Sequence, residues 1–371
     1  MLRRAVRYDV TIDDSKGNVL INCLNATSMR NQANLVAKLL KANKYEPKFS
    51  SSISVADVGI ASNVGFLWMQ LCSFEFLGSE VAAYLATDKP KAVYVTIEGI
   101  PSKANVLYSN LPRIQYITVS DFVAKMLSKV GLRAKARVHH GVDLDAVNKA
   151  KQVSPKIRKF LDDKLGDTVK ILYVGRNDPR KGLPKLAEAN RILLEKGITT
   201  YHLIMKTEPS AKSLFPEDNV VFVDSFGSTG YIETLALMHA CDYLVFPSMS
   251  EGFGLPVLEA NAVGKPVIHC WMPPLVEFSS KQFNFVFGFD SVEMHQNAYR
   301  QFWIMHDYSP EYLAEMMEVA IDTYFNKKDE YEEYCTLAEM HASEWDYRIV
   351  YSDLLELMGL DIEEPSEDNG G

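Results

Sequence analysis

The sequence predicts an α/β protein made of two successive doubly wound units, each a mostly parallel sheet flanked by helices. Three observations predict it. Short apolar runs alternate with helical patterns from residue 18 onward. The alternation breaks at a charged stretch and then restarts. At 371 residues the chain has the length of two ordinary domains.

In the first unit, NVLINC (18–23) reads as a strand and NQANLVAKLLKA (31–42) as a helix. KAVYVTIEG (91–99) is a strand running into a turn, and IQYITVS (114–120) is another strand. DFVAKMLSKVG follows as a helix, with Ser120 placed to cap it and Gly131 to end it. KARVHHGVD (135–143) returns to strand and turn. The charged, non-periodic stretch 145–167 reads as the junction, with one short helix. Alternation restarts at VKILYVG (169–175) and continues through DYLVFPS (242–248) and VIHC (267–270). From about 302, FWIMHDYSPEYLAEMMEVAIDTYF and the segment after it read as long helices that cover the second unit and reach back to the first. The expected organisation is a first unit over 1–150, a second over 151–335, returning helices over 336–361 and an acidic, disordered tail over 362–371.

Composition narrows the function classes. Apolar types make up 47% and charged types 23%, an ordinary globular balance. The net charge of −9 argues against a general nucleic-acid binder. The five cysteines form no CxxC pair, which points to reduced thiols and a cytoplasmic setting. The N-terminus has charge but no apolar stretch, unlike a signal peptide, and no apolar run reaches membrane-spanning length. The turn after the first strand, NATSMRNQ, lacks glycine altogether, which speaks against a dinucleotide fingerprint and a nicotinamide dehydrogenase.

Two stretches carry chemistry. SEGFGLPVLEANAVGKP (250–266) puts Glu251 in a glycine-containing turn after a buried strand. Pro256 reads as the first helical position, Glu259 falls in the first helical turn, and Gly264 marks the stop. Gly252 and Gly254 let backbone N–H groups approach a ligand, and the helix N-terminus adds positive potential. Two carboxylate acceptors with backbone donors between them describe a sugar or ribose site. Either glutamate alone reads as a dipole-complementing or solvated residue; their shared context favours the functional reading. The second stretch is ILYVGRNDPRKGLPKL (171–186). Arg176 follows Gly175 at a strand end, and Lys181 comes five residues later. Both suit phosphoryl oxygens. Arg180 reads as solvated.

Together, VGRNDPRKG and PSMSEGFGLPVLEANAVGKPVI resemble the retaining GT-B glycosyltransferases of family 4 (glycosyl transferases group 1). VSDFVAKMLSKVGLRAKARVHHGVD (119–143) resembles their segment near the end of the first domain. The resemblance implies a GT-B fold, two Rossmann-like domains facing across a cleft. It implies that Arg176 and Lys181 bind the donor diphosphate, Glu251 the donor sugar and Glu259 the nucleotide ribose. Backbone N–H groups around Phe253, Gly254 and Leu255 would help hold phosphate and sugar. It further implies a donor that is a nucleotide diphosphate sugar, UDP- or GDP-linked, with no cofactor and no metal; the paired aspartates 13–14 and 162–163 read as solvated. Where many members carry a histidine after a first-domain strand, this chain has TIEGIPSKAN (96–105), which makes Glu98 the acceptor-side candidate. His139 and His140 read as structural.

The reaction implied is transfer of a hexosyl group, with retained configuration, to a hydroxyl of a glycan, lipid or small molecule. The alternatives are a GT-B-fold nucleotide-sugar epimerase and a nucleotide-sugar-binding protein without catalysis. The apolar, aromatic stretch 62–78 reads as buried core, with a lipid-docking face and peripheral membrane contact as the other reading.

Overall fold

The computed structural model describes residues 15–23, 26–50, 64–71, 84–101, 114–223, 229–298 and 301–363. The N-terminal segment, most of the stretch 62–78, Cys72, the turn beyond 101 and the acidic tail from 364 lie outside the described residues.

The first half supplies β1 (Gly17–Cys23), β2 (Tyr45–Ser50), β3 (Gly65–Leu71), β4 (Lys91–Thr96), β5 (Gly99–Ile100), β6 (Tyr116–Thr118) and β7 (Ala134–Arg137). All but β5 form a six-stranded parallel sheet in the order β2-β1-β3-β4-β6-β7. Helix α1 (Thr27–Ala42) packs on it through Met29, Ala33, Val36 and Leu40, one apolar stripe at helical spacing. Helix α2 (Asp121–Ser128) begins as the sequence predicts: the Ser120 hydroxyl accepts from the Val123 N–H at 3.1 Å.

The stretch expected to hold one short helix is instead a 22-residue helix, α3 (Leu144–Leu165), with Pro155 inside it. A proline removes the N–H that would pair with the carbonyl four residues back. That carbonyl, on Lys151, accepts the Ser154 hydroxyl at 3.1 Å, so the turn is satisfied without it. Ser154 is also 2.6 Å from His239 Nδ1, on the helix packed against α3.

The second half continues with β8 (Val169–Val174), α4 (Leu183–Glu195), β9 (Tyr201–Lys206), β10 (Val220–Phe222), α5 (Tyr231–Ala240), β11 (Tyr243–Phe246), α6 (Leu255–Ala262), β12 (Val267–Cys270) and β13 (Phe285–Phe287). Its six strands form a second parallel sheet in the order β10-β9-β8-β11-β12-β13. Both sheets reverse direction of growth beside their first strand, the position where doubly wound folds place ligands outside the strands' carboxyl ends.

A third sheet departs from the sequence expectation. Phe302–Asp307, expected as helix, is strand β15, paired antiparallel with β14 (Ser291–Gln296) and with β5 of the first half. FWIMHD is rich in aromatic and branched types and finds partners on both edges, which overrides its helical pattern. The helix α7 (Pro310–Asn326) begins only at Pro310, where a missing N–H costs nothing. Helices α8 (Lys328–Ser343) and α9 (Tyr347–Met358) follow. The chain then lies against the first half: Val142 and Tyr347 pair through backbone at 3.0 Å, and Glu363 N–H donates to Asn43 Oδ1 at 2.7 Å.

Candidate active site between the two sheets

Two loops at the carboxyl ends of β8 and β11 build the site. They are clamped together: Met249 N–H donates to the Arg180 carbonyl at 2.8 Å, and the Ser248 hydroxyl reaches the same carbonyl at 3.2 Å. Gly182 makes the clamp feasible. Its φ is +68°, and a Cβ there would lie 2.0 Å from the Pro247 carbonyl oxygen.

Lys181 Nζ lies 2.5 Å from Glu251 Oε1, which also accepts the Ser248 hydroxyl at 2.6 Å. The other oxygen, Glu251 Oε2, is 3.3 Å from Arg180 Nη1. Burial alone would raise the Glu251 carboxyl, but Lys181 and Arg180 hold it below the usual carboxylate range. Burial and the adjacent guanidinium draw the Lys181 ammonium down, with Glu251 opposing them.

Arg180 is the main correction to the sequence reading. Expected as solvated, its side chain is only 15% exposed, and its second nitrogen, Nη2, is 3.1 Å from Glu98 Oε1. Glu98 belongs to the first half, in the turn after β4, so one guanidinium joins carboxylates from both sheets. Arg176 has the opposite fate: its side chain is 75% exposed and pairs with Glu208 at 3.2 Å. The structure therefore brings Glu98, Arg180, Lys181 and Glu251 together and leaves Arg176 at the rim beside Gly175.

The halves touch closely here. The Ser250 hydroxyl donates to the Glu98 carbonyl at 2.8 Å, and the Ser120 hydroxyl to the Gly252 carbonyl at 3.0 Å. A Cβ on Gly252 would lie 2.5 Å from Thr96 Oγ1 and 2.9 Å from the Ile97 carbonyl oxygen, so only glycine allows this approach. Ile304 N–H of β15 donates to the Glu98 carbonyl at 3.3 Å, so the strand that the sequence hid also fixes Glu98.

Beyond Gly252 the turn runs into α6. Phe253 is buried and stacks on Phe278 with centroids 4.4 Å apart. The N–H groups of Phe253, Gly254 and Leu255 donate to no group among the described residues. They are free donors at a helix N-terminus. Pro256 is the second helical residue rather than the first, because the helix opens at Leu255. Glu259 is then the fifth, past the first turn, where the dipole argument no longer applies to it. It keeps partial surface exposure, yet its carboxyl is enclosed enough that burial pushes it up to about 7, against the Tyr231 hydroxyl.

His139 and His140 serve the frame. His140 is buried with Nδ1 3.2 Å from both the Tyr94 and Tyr351 hydroxyls, and burial lowers it to about 3. His139 Nε2 lies 3.3 Å from Glu277 Oε2. Sequence reasoning missed Glu277. Its carboxylate accepts the N–H groups of Asp121 and Phe122 at 2.8 and 2.9 Å, capping α2 from the other half of the chain. Only its acidic type was visible in sequence, and nothing local tied it to a helix more than 150 residues away. The described residues contain no group of three or more His, Cys, Asp or Glu arranged to hold a metal ion. No helix among them is long and apolar enough to cross a membrane.

Two parallel sheets meeting at their carboxyl ends, with a charged cluster between, define a GT-B fold. Comparison with known proteins agrees. Residues 154–303 match the family model described as "Glycosyl transferases group 1". Among curated proteins, the chain is 29% identical over 279 residues to uncharacterized glycosyltransferase 335 of Sulfolobus islandicus rod-shaped virus 1, covering 74% of this chain and 82% of that one. It is 30% identical to the D-inositol 3-phosphate glycosyltransferase of Mycobacterium sp. (strain JLS), over only 35% of this chain and 30% of that one. Among solved structures, a glycosyltransferase from Rickettsia africae aligns with a TM-score of 0.68 at 15% identity, covering 93% of this chain and 98% of that one. HepE of Anabaena, solved with UDP and glucose, aligns at 0.64 and 15%, covering 92% and 99%. The matched segment and the viral relative are what the chain resembles in sequence; the structural neighbours show the fold.

Proposed function

We propose that the chain is a retaining glycosyltransferase, moving a hexosyl group from a UDP- or GDP-linked sugar to a hydroxyl acceptor without a metal ion. One observation carries the reading. Glu251 is held ionised between Lys181 and Arg180, beside three free backbone N–H groups at the N-terminus of α6. A nucleoside diphosphate offers an anion that competes with Glu251 for Lys181 and meets the free donors. It also offers hydroxyls for Glu251 and Glu259. The solved neighbour with UDP and glucose supports such a donor. The free cysteines Cys23, Cys241, Cys270 and Cys335 are in keeping with a cytoplasmic setting.

In this reading the donor diphosphate draws Lys181 away from Glu251, and Arg176 swings in from Glu208. Glu251 then meets the donor sugar, and Glu259 the ribose diol. As the bond from the sugar to the diphosphate breaks, negative charge grows on the leaving phosphate. Lys181, Arg176 and the N–H groups of Phe253, Gly254 and Leu255 receive it. The acceptor oxygen bonds to the same face, and its proton passes to the leaving phosphate oxygen, so no protein nucleophile is required. Glu98 stands on the acceptor side.

The test is a panel of UDP- and GDP-linked sugars read by calorimetry, followed by mass spectrometry of products formed with sugar and lipid acceptors. Binding of one donor and a product heavier by one hexosyl unit is the expected result. Glu98 facing Glu251 from the other sheet also favours a second reading, an epimerase, which needs carboxylates in both domains. Release of nucleoside diphosphate only when an acceptor is present separates transfer from epimerisation.

A further inference from the structure

We propose that the second carboxylate oxygen of Glu98 receives a sugar hydroxyl in the cleft, and that Arg180 is the positioning residue that aims it. The inference rests on the glycosyltransferase reading and adds a residue pair to it. Glu98 is 8% exposed, and its Oε1 is held by Arg180 Nη2 at 3.1 Å. Its Oε2 is buried and meets no hydrogen-bond donor. A buried carboxylate oxygen left unpaired is costly and marks a place where a donor is missing.

The residue cannot turn that oxygen to solvent cheaply. Its carbonyl takes the Ser250 hydroxyl at 2.8 Å and the Ile304 N–H at 3.3 Å. Gly99 next to it packs so closely on β15 that a Cβ would lie 1.9 Å from the Phe302 carbonyl oxygen. The backbone is thus pinned from the second half while the side chain is held by Arg180. Charge then selects the partner. A cation at Oε2 meets Arg180 and Lys181, and an anion meets Glu98 and Glu251. A neutral hydroxyl donates one hydrogen bond and adds no charge. That hydroxyl belongs either to the transferred sugar or to its acceptor, and the two sources can be told apart.

The experiment uses the full chain with UDP-glucose or GDP-mannose, whichever the unmodified chain hydrolyses. Two rates are read: donor hydrolysis with water as the acceptor, and transfer to a panel of sugar and lipid acceptors. Glu98→Gln is expected to lower at least one rate by about 10-fold, with affinity for UDP or GDP changed by no more than about twofold. A fall in both rates assigns the hydroxyl to the donor sugar; a fall in transfer alone assigns it to the acceptor. Arg180→Gln should reproduce the pattern. Arg180→Lys should recover little, because an ammonium cannot present the guanidinium's two-pronged contact to Glu98 and Glu251. The double variant should be no worse than the worse single one, because the pair acts as a unit. It also stands in for Glu98→Gln if that variant fails to fold, since it removes the buried guanidinium along with its partner. Unchanged rates in Glu98→Gln, or nucleoside diphosphate affinity falling as far as the rates, overturn the assignment. Absence of both hydrolysis and transfer in the unmodified chain removes the glycosyltransferase reading itself.

Discussion

Ser120 and Gly252 join the two halves of the chain directly. The Ser120 hydroxyl accepts the Val123 N–H to cap α2 and donates to the Gly252 carbonyl at 3.0 Å. One side chain therefore starts a helix in the first half and holds the glutamate turn of the second.

That contact predicts the effect of Gly252→Ala. The new methyl would lie within 2.9 Å of both Thr96 Oγ1 and the Ile97 carbonyl oxygen, so the halves must move apart. Nucleoside diphosphate affinity should stay within about threefold, since the groups proposed to hold it, Lys181, Arg176 and the backbone donors of α6, all belong to the second half. Transfer kcat/KM should drop by about 10-fold or more, as expected for small misplacements of reacting groups. Calorimetry and a transfer assay on the same preparation check it. Unchanged kcat/KM means the closed geometry is not the working one.

Removing Lys181 tests the diphosphate role. Lys181→Ala should weaken nucleoside diphosphate binding by about 1.5–3 kcal/mol, the range of a charge-assisted hydrogen bond. Arg176→Ala should act in the same direction, although Arg176 now points to Glu208. The parent nucleoside, without phosphates, should bind all these forms alike. Equal losses for nucleoside and diphosphate would place the cations elsewhere.

Much of the candidate site's geometry is legible in the sequence, and the limits have physical causes. Lys181, Glu251 and the glycine turn were legible because strand, turn and helix signals there are local. Arg180 was misread because a loop arginine next to a proline gives no local sign of burial; its partners, Glu98 and Glu251, lie about 70–80 residues away on either side. Strand β15 was misread for the same reason. Its hydrophobic pattern fits a helix until β14, just before it, and β5, some 200 residues earlier, supply edges to pair with. Helix α3 ran through Pro155 because Ser154 replaces the missing bond, a compensation that no propensity scale contains.

The two glutamates should fail differently. Glu259→Gln should chiefly weaken nucleoside diphosphate binding, since a ribose diol prefers an ionised acceptor. Glu251→Gln should not weaken that affinity, since it frees Lys181 from its ion pair, and should lower kcat/KM for the sugar donor, because the contact proposed for it is to the group that moves. If both weaken nucleoside diphosphate binding equally, the division of roles is wrong.

Glu259 also predicts a pH dependence. Its folded carboxyl titrates near 7, raised by burial above the 4.5 of a free glutamate. Between those values the folded state holds the extra proton, so the group's stabilising share is present at low pH and is lost as pH rises through about 7. Nucleoside diphosphate binding should tighten as pH rises over the same upper limit, as the carboxylate ionises. In Glu259→Gln, both the melting temperature and the affinity should lose this component. Titrations at pH 6 and pH 8 (values chosen on either side of about 7) compare the two proteins. An identical pH dependence in both would remove Glu259 from the ribose site.

Metal independence follows from assigning the leaving group's charge to Lys181, Arg176 and the backbone donors of α6. A strong chelator should leave the transfer rate intact. A loss restored by added magnesium or manganese would show that these groups do not suffice.

In the proposed reaction a hexosyl group leaves a nucleoside diphosphate between the two sheets with its configuration retained. Proton NMR of the first sugar released from an α-linked donor reads this directly, before the free sugar equilibrates. The α-anomer is expected first, appearing with nucleoside diphosphate in equal amount and slowed by replacing Lys181. The β-anomer first, or a donor that binds and is never cleaved with any acceptor, contradicts it.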